Sequence, residues 1–204
     1  MKRLILFCFV TGGVAVAIQA AGAADPRYPD WPCVQVKVPE LSVAALWGGP
    51  PLGDAVERWE KDARLKELVA LLAARRTPLD EAQKLAAEFI SGDEASKQDK
   101  AKLLFAGLFD NFNQLRTDVL AGIERFTRRQ REFAERIRSE TLKLRELQDA
   151  NADAKQLEEM SNQLQWDTRI FEDRRRTISY VCEVPVTIER RLFALGRTIQ
   201  QAAE

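Results

Sequence analysis

Cys33 and Cys182 are the two side chains of this sequence with the most definite chemistry. A pair of thiols in an oxidising compartment, with no other cysteine to compete, is expected to close as a disulfide. The third cysteine, Cys8, lies inside an N-terminal apolar run and decides which compartment applies. That run reads as a secretory signal peptide over residues 1–23. Lys2 and Arg3 form the positive start, Leu4 to Ile18 the apolar stretch, and Ala21-Gly22-Ala23 a small-residue cleavage site. The stretch is short for a membrane span, which takes ~20 apolar residues; an uncleaved anchor is the alternative. Cleavage removes Cys8 and leaves Cys33 and Cys182 as a structural staple across 149 positions (182 minus 33). Chain entropy assigns so long a loop at most about 5 kcal/mol. A redox switch is the competing use and would need a strained bond or a low-pKa thiol.

Other chemistry finds little support in the residue types. Histidine is absent, which removes the commonest general base and metal ligand. No G-x-S-x-G turn, P-loop, dinucleotide fingerprint or C-x-x-C occurs, and the prolines of "GGPPLG" remove N–H donors that a phosphate cradle needs. Asp93, Glu94 and Asp99 cluster in "SGDEASKQDK", but lysines are interleaved. The expectation is therefore a protein without catalytic residues, cofactor or metal. The arginine tracts "TRRQRE" and "DRRRT" could hold a phosphate or an anionic lipid head group; interleaved acids favour a solvated helix face. Basic and acidic residues balance at 31 each, and export makes nucleic acid an improbable partner.

The elements that carry these residues are helical after a proline-rich start. Six prolines punctuate residues 24–53 (Pro26, Pro29, Pro32, Pro39, Pro50 and Pro51), so this segment is read as an extended arm. Val34, Val36 and Val38 alternate with Gln35 and Lys37, the pattern of a short half-buried strand or extended arm. Trp31 and Trp47 could form a partner surface, or could anchor the arm by burial. Residues 54–204 read as one helical domain. Asp54 is the expected cap of a helix running to Arg75, and Thr77 that of a helix with Pro78 in its first position. Asp93 is the expected cap of a third.

A 4-3 apolar spacing then runs from Phe109 through Phe112, Arg116, Val119, Ile123, Phe126, Gln130, Phe133, Ile137, Glu140, Leu144 and Leu147 to Asn151 and Ala154. Pairs such as Glu124–Arg128 and Glu132–Arg136 stand beside it at i,i+4. Large apolar residues stop at "QDANADAKQ" and resume out of phase at Leu157, Met160, Leu164, Phe171 and Ile178. Residues 149–153 are thus expected to be the tip of an antiparallel hairpin over about 112–180; one unbroken helix with a stutter is the rival. Gly107 and Gly122 suggest a close helix crossing or a kink near Asp110-Asn111, and Pro185 an end to the second arm, with Thr187 capping a last helix.

The expected fold is all-α: a proline-rich arm stapled to a helical body with a long antiparallel, coiled-coil-like hairpin. The function this suggests is an exported, periplasmic or secreted, interaction or scaffold protein of the cell envelope. Its partners would be envelope proteins, with a second copy possible through the heptad seam and no transmembrane span after cleavage. A chaperone-like holdase is the alternative, and a carboxylate-based ligand or metal binder the third reading. Intact mass of protein taken from the envelope fraction tests the compartment. The expected chain begins at Ala24 or Asp25 and is alkylated only after reduction; a full-length chain with free thiols would refute export.

Overall fold

The computed structural model describes residues 25–204, so the signal-peptide reading and Cys8 lie outside the described residues. The described chain is helical, with no strand among its residues. Two short helices, α1 (Val43–Leu46) and α2 (Ala55–Arg58), lead through a 3-10 turn (Trp59–Lys61) to α3 (Ala63–Ala73) and α4 (Leu79–Phe89). Two long helices follow, α5 (Glu94–Asp149) and α6 (Ala154–Ala203). At ~1.5 Å rise per residue, the 56 residues of α5 span about 84 Å and the 50 of α6 about 75 Å.

The hairpin turn is written into a few residues. Asn151 takes the left-handed conformation (φ 52°) that ends α5. The Ala152 N–H donates to the Leu147 carbonyl at 3.0 Å and the Asn151 N–H to that of Gln148 at 3.1 Å, a Schellman closure. Asp153 then starts α6 by accepting from the N–H groups of Lys155 and Gln156. Asn151 and Ala154, which the 4-3 spacing included in the seam, are therefore turn and helix-start residues. Every other seam position from Phe109 to Leu147 is buried or half-buried, as are Leu157, Met160, Leu164, Phe171 and Ile178 across from them. Phe133 and Phe171 meet edge-on across the seam at 6.3 Å.

The main core lies at the open end of the hairpin. There Leu104, Phe105, Leu108 and Phe112 of α5 meet Leu192, Leu195 and Ile199 of α6, and α1–α4 wrap around them. Trp47 stacks on Phe105 with ring centroids 4.6 Å apart. Gly107 explains itself by close approach: a Cβ there would stand 2.8 Å from both Trp59 and Val69. No kink near Asp110-Asn111 is needed, since α5 runs through without a break. Arg191 of α6 reaches back to donate to the Leu72 and Thr77 carbonyls, capping the C-terminal end of α3. Burial holds its pKa below the usual arginine value.

Several local expectations are corrected. The helix expected from Asp54 to Arg75 is interrupted, because Asp62 accepts from the Arg64 and Leu65 N–H groups and starts α3 anew. Asp54 makes no cap bond and pairs instead with Arg58. Pro78 occupies the cap position of α4, and Thr77 is buried with its carbonyl taken by Arg191. Pro185 does not end a helix; it is buried inside α6, and Thr187 bonds back to the Glu183 carbonyl instead of capping. The hairpin expected over about 112–180 lies within two longer helices that run on into the core, where Phe112 of α5 is already buried.

The two glycines of α5 should respond in opposite ways to alanine. Gly107→Ala is expected to lower stability by about 1–3 kcal/mol through overpacking against Trp59 and Val69. Gly122→Ala, whose Cβ would meet only the far end of Arg125 at 3.8 Å, should raise it by up to ~1 kcal/mol through helix propensity. Urea midpoints of the two variants check both signs.

Candidate functional site

The arm and the hairpin meet on one flank of α5, where the chain's remaining polar chemistry is concentrated. The arm runs along α5 towards the core. Asp30 faces Arg128 at 2.9 Å and Arg131 at 3.1 Å. Trp31 is buried with Leu120 and Ile123 in a small cluster separate from the main core, and its indole N–H donates to the Gln35 carbonyl at 2.7 Å. Further along, Lys37 pairs with Glu124 and lies over the Tyr28 ring. The Pro39 carbonyl accepts from Arg116, and the Leu41 N–H reaches Asn113. The helix face was expected to satisfy its charges by i,i+4 pairs, but Glu124 and Arg128 are used to hold the arm.

Between these contacts sits the Cys33–Cys182 disulfide, with Cα atoms 5.6 Å apart, inside the usual span for an unforced bridge. The Gln35 side chain donates to the Cys182 carbonyl in the same stretch of α6 whose hydrogen-bond ladder Pro185 interrupts. Trp47 is also buried, with its indole N–H donating to the Pro50 carbonyl at 2.7 Å. Neither Trp31 nor Trp47 presents a free surface; each holds a segment down. The structure thus brings Trp31, Cys33 and Cys182 together and keeps Trp47 apart in the main core.

The valine alternation is present, with the valines facing outward. Val34, Val36 and Val38 are 105%, 71% and 49% exposed, while Gln35 and Lys37 point inward. The stretch is an extended arm and not a strand, and its half-buried face is the polar one. The inner face of the arm meets Glu124 and the Cys182 carbonyl, polar groups that are costly to bury without partners, and Lys37 and Gln35 supply those partners.

Deeper in the seam, Arg116 is 3% exposed and bonds both Glu189 of α6 and the Pro39 carbonyl of the arm. One guanidinium therefore joins both long helices and the arm. Nearer the tip, Arg136 lies 3.8 Å from Glu140 and 3.9 Å from buried Asp167, forming a polar layer of the seam. Among the described residues no group of three or more Cys, Asp and Glu side chains is arranged to hold a metal ion. No described helix is long and apolar enough to cross a membrane.

Two clefts open beside the seam. One, about 260 Å³, is lined by Pro32 of the arm, by Phe126, Gln130, Arg131 and Ala134 of α5, and by Phe171, Arg175 and Ile178 of α6. The other, about 240 Å³, lies nearer the core between Phe112, Leu115 and Val119 of α5 and Tyr180, Val184 and Ile188 of α6. The register of the hairpin, set by the Phe133–Phe171 and Arg136–Asp167 contacts, places the tract around Arg128 opposite that around Arg175. Sequence reading named both tracts but had no means of seeing that they adjoin. Compared with models of known protein families, with curated proteins and with solved structures, the chain matches none.

Arm docking has a defined acid response. The Arg128 hydrogen bond, then Arg131, holds the Asp30 carboxyl below its ordinary pKa. Its contribution to docking is therefore complete above the free value of about 3.9 and is lost as pH falls through the lower docked value. In reduced protein, the arm amides should remain protected to about pH 4 and lose protection below it. Asp30→Asn should show weaker protection without this acid step. Hydrogen exchange of residues 28–41, read where the helical circular dichroism is still intact, checks both.

Proposed function

We propose that this protein is an exported interaction or scaffold protein of the cell envelope, periplasmic or secreted, which works by presenting surfaces and performs no chemistry of its own. The observation that carries this reading is the outward valine face of the arm. A disulfide, two ion-pair clusters and a buried tryptophan hold an extended segment so that three valines face solvent. Holding apolar side chains outward on a fixed support is costly to the chain alone and useful to a complex, where their burial adds ~25 cal/mol per Å² of apolar surface removed from water. The disulfide fits an oxidising compartment. Beyond Arg131, the hydrogen bonds and ion pairs of α5 are made to itself or to α6, so the last 18 residues of that helix (132–149) form a projecting arm about 27 Å long. The seam inside it is already filled by α6, and a second copy pairing through the seam would have to displace that helix.

A holdase is the second reading, and one observation favours it. Trp166 is 62% exposed on the projecting hairpin, with Ile170 one turn along and Leu142 exposed on the other helix. Such a protein should suppress aggregation of an unfolded client at equimolar amounts and lose that effect on Trp166→Ser.

A photoreactive amino acid at Val36, introduced into the protein in its native cells, tests the primary reading. A discrete cross-linked adduct in the envelope fraction is expected from Val36, and none from the same probe at exposed Lys143. Absence of an adduct from Val36, or equal labelling at both sites, would refute it.

A further inference from the structure

The apolar cleft at Pro32, Phe126 and Ile178 joins three features that have no common structural explanation. The first is shape. The arm, α5 and α6 meet there around about 260 Å³ of space with a nearly all-carbon lining. This is a little below the ~300 Å³ at which small-molecule pockets begin, and suits one large apolar side chain. The second is charge. Residues 125–131 and 172–178 carry seven arginines (Arg125, Arg128, Arg129, Arg131, Arg174, Arg175 and Arg176) in a chain of zero net charge. The acids among them are Glu172 and Asp173, with Asp30 supplied by the arm. Arg131 and Arg175 already face Asp30 and Glu172, but with the three acids counted the two tracts keep an excess of four positive charges (seven minus three). Arg131 and Arg175, the two that line the cleft, are 56% and 68% exposed. The third is an orphan acceptor. Gln130 lines the cleft, its side-chain N–H reaches only as far as the Phe171 carbonyl at 3.5 Å, and its Oε1 is buried without a partner. A buried acceptor of this kind is destabilising until a donor arrives.

We infer that this cleft is a docking site for an acidic peptide segment of a partner protein. One large apolar side chain enters between Phe126 and Ile178, flanking carboxylates face Arg131 and Arg175, and Gln130 gives up its 3.5 Å contact with the Phe171 carbonyl and turns its buried Oε1 outward to accept a peptide N–H. The orphan acceptor decides between occupants of similar charge. A long-chain carboxylate would satisfy the arginines and fill the apolar space, yet it brings no donor for Gln130. A peptide brings one at every residue except proline. The site rests on the interaction reading above and names the chemistry of the partner. Pro32, beside the bridged Cys33, lines it, and none of the three outward valines does.

The test is an amide-detected NMR titration of the oxidised full chain with a blocked peptide of sequence Asp-Glu-Phe-Glu-Asp. Two control peptides replace Phe by Ala, or all four acids by their amides. Saturable shifts at Gln130, Ala134 and Ile178 are expected with the first peptide alone, weakening as salt is raised. Arg175→Glu should weaken binding by about tenfold or more through like-charge repulsion. Ala134→Trp, which fills the cleft, should abolish it. Both variants are first confirmed to be helical and disulfide-bonded; Gln130→Leu gives a third check, since it removes the acceptor while favouring the fold. No saturable shift, or equal shifts with the neutral peptide, would overturn the inference. So would laurate shifting these amides when the peptide does not, or the same signals moving with protein concentration alone, which would indicate a second copy. If the Val36 adduct forms while the peptide fails, only the cleft is discarded; if neither occurs, the interaction reading falls with it.

Discussion

The seam between α5 and α6 must be buried over its whole length, and the other described helices, at most 11 residues long, cannot cover it. The hairpin is the solution available within one chain. Its consequences reach each part of the molecule. The turn has to close without shifting the register, which the Schellman closure at Asn151 and the cap at Asp153 accomplish. Both helices have to overrun the projecting part so that their other ends can build a core, which is where Phe105, Leu108, Leu192 and Leu195 are found. The four preceding helices are short because they only need to cover that end.

Polar residues in the seam make its register specific. Leucine-rich seams tolerate sliding, whereas a charged group at a core position has a partner in one register only. Arg116 finds Glu189 and the arm carbonyl of Pro39, and buried Asp167 of α6 finds the outer Arg136 of α5 at 3.9 Å. Such pairs contribute little net stability because desolvation offsets attraction, but removing one partner leaves a buried charge. The arm depends on this register as well. Arg116, Glu124, Arg128 and Arg131 stand at the heights along α5 that Pro39, Lys37 and Asp30 require, and Cys182 is opposite Cys33 only when the helices are aligned as they are.

The arm also explains why an apolar stripe can stand exposed on a folded chain. Its docking energy comes from Trp31, the disulfide and ion pairs on its inner side, so its outer side is released from structural duty. Isolated exposed valines need no explanation. Three in alternation on a segment fixed at both ends make a stripe whose shape does not change, which suits recognition better than a flexible tail whose ordering would be costly.

Much of this architecture was legible in the residues. The 4-3 spacing, the break at "QDANAD" and the resumption at Leu157 specify two helices that turn back on each other, because period and turn chemistry are local properties. The pairing of Cys33 with Cys182 followed from reading Cys8 as part of a signal peptide, an expectation that leaves no third thiol. Other features depended on what lies across from a residue. The valine period was readable, but its phase was not, since Gln35 and Lys37 turn inward only because the Cys182 carbonyl and Glu124 are there to meet them. Pro185 reads as a helix breaker in isolation, yet α6 continues through it, with core contacts around Ile188 and Leu192 on one side and the Cys182 bridge on the other holding both halves in place. Likewise, the two arginine tracts are visible in the sequence as separate solvated faces, and only the closed hairpin sets them on either side of an apolar cleft. By itself the sequence determined helix, turn and staple, which rest on neighbours along the chain. Tertiary structure decided the direction each face points and which distant charges share a site, because both are set by partners that sequence separation hides.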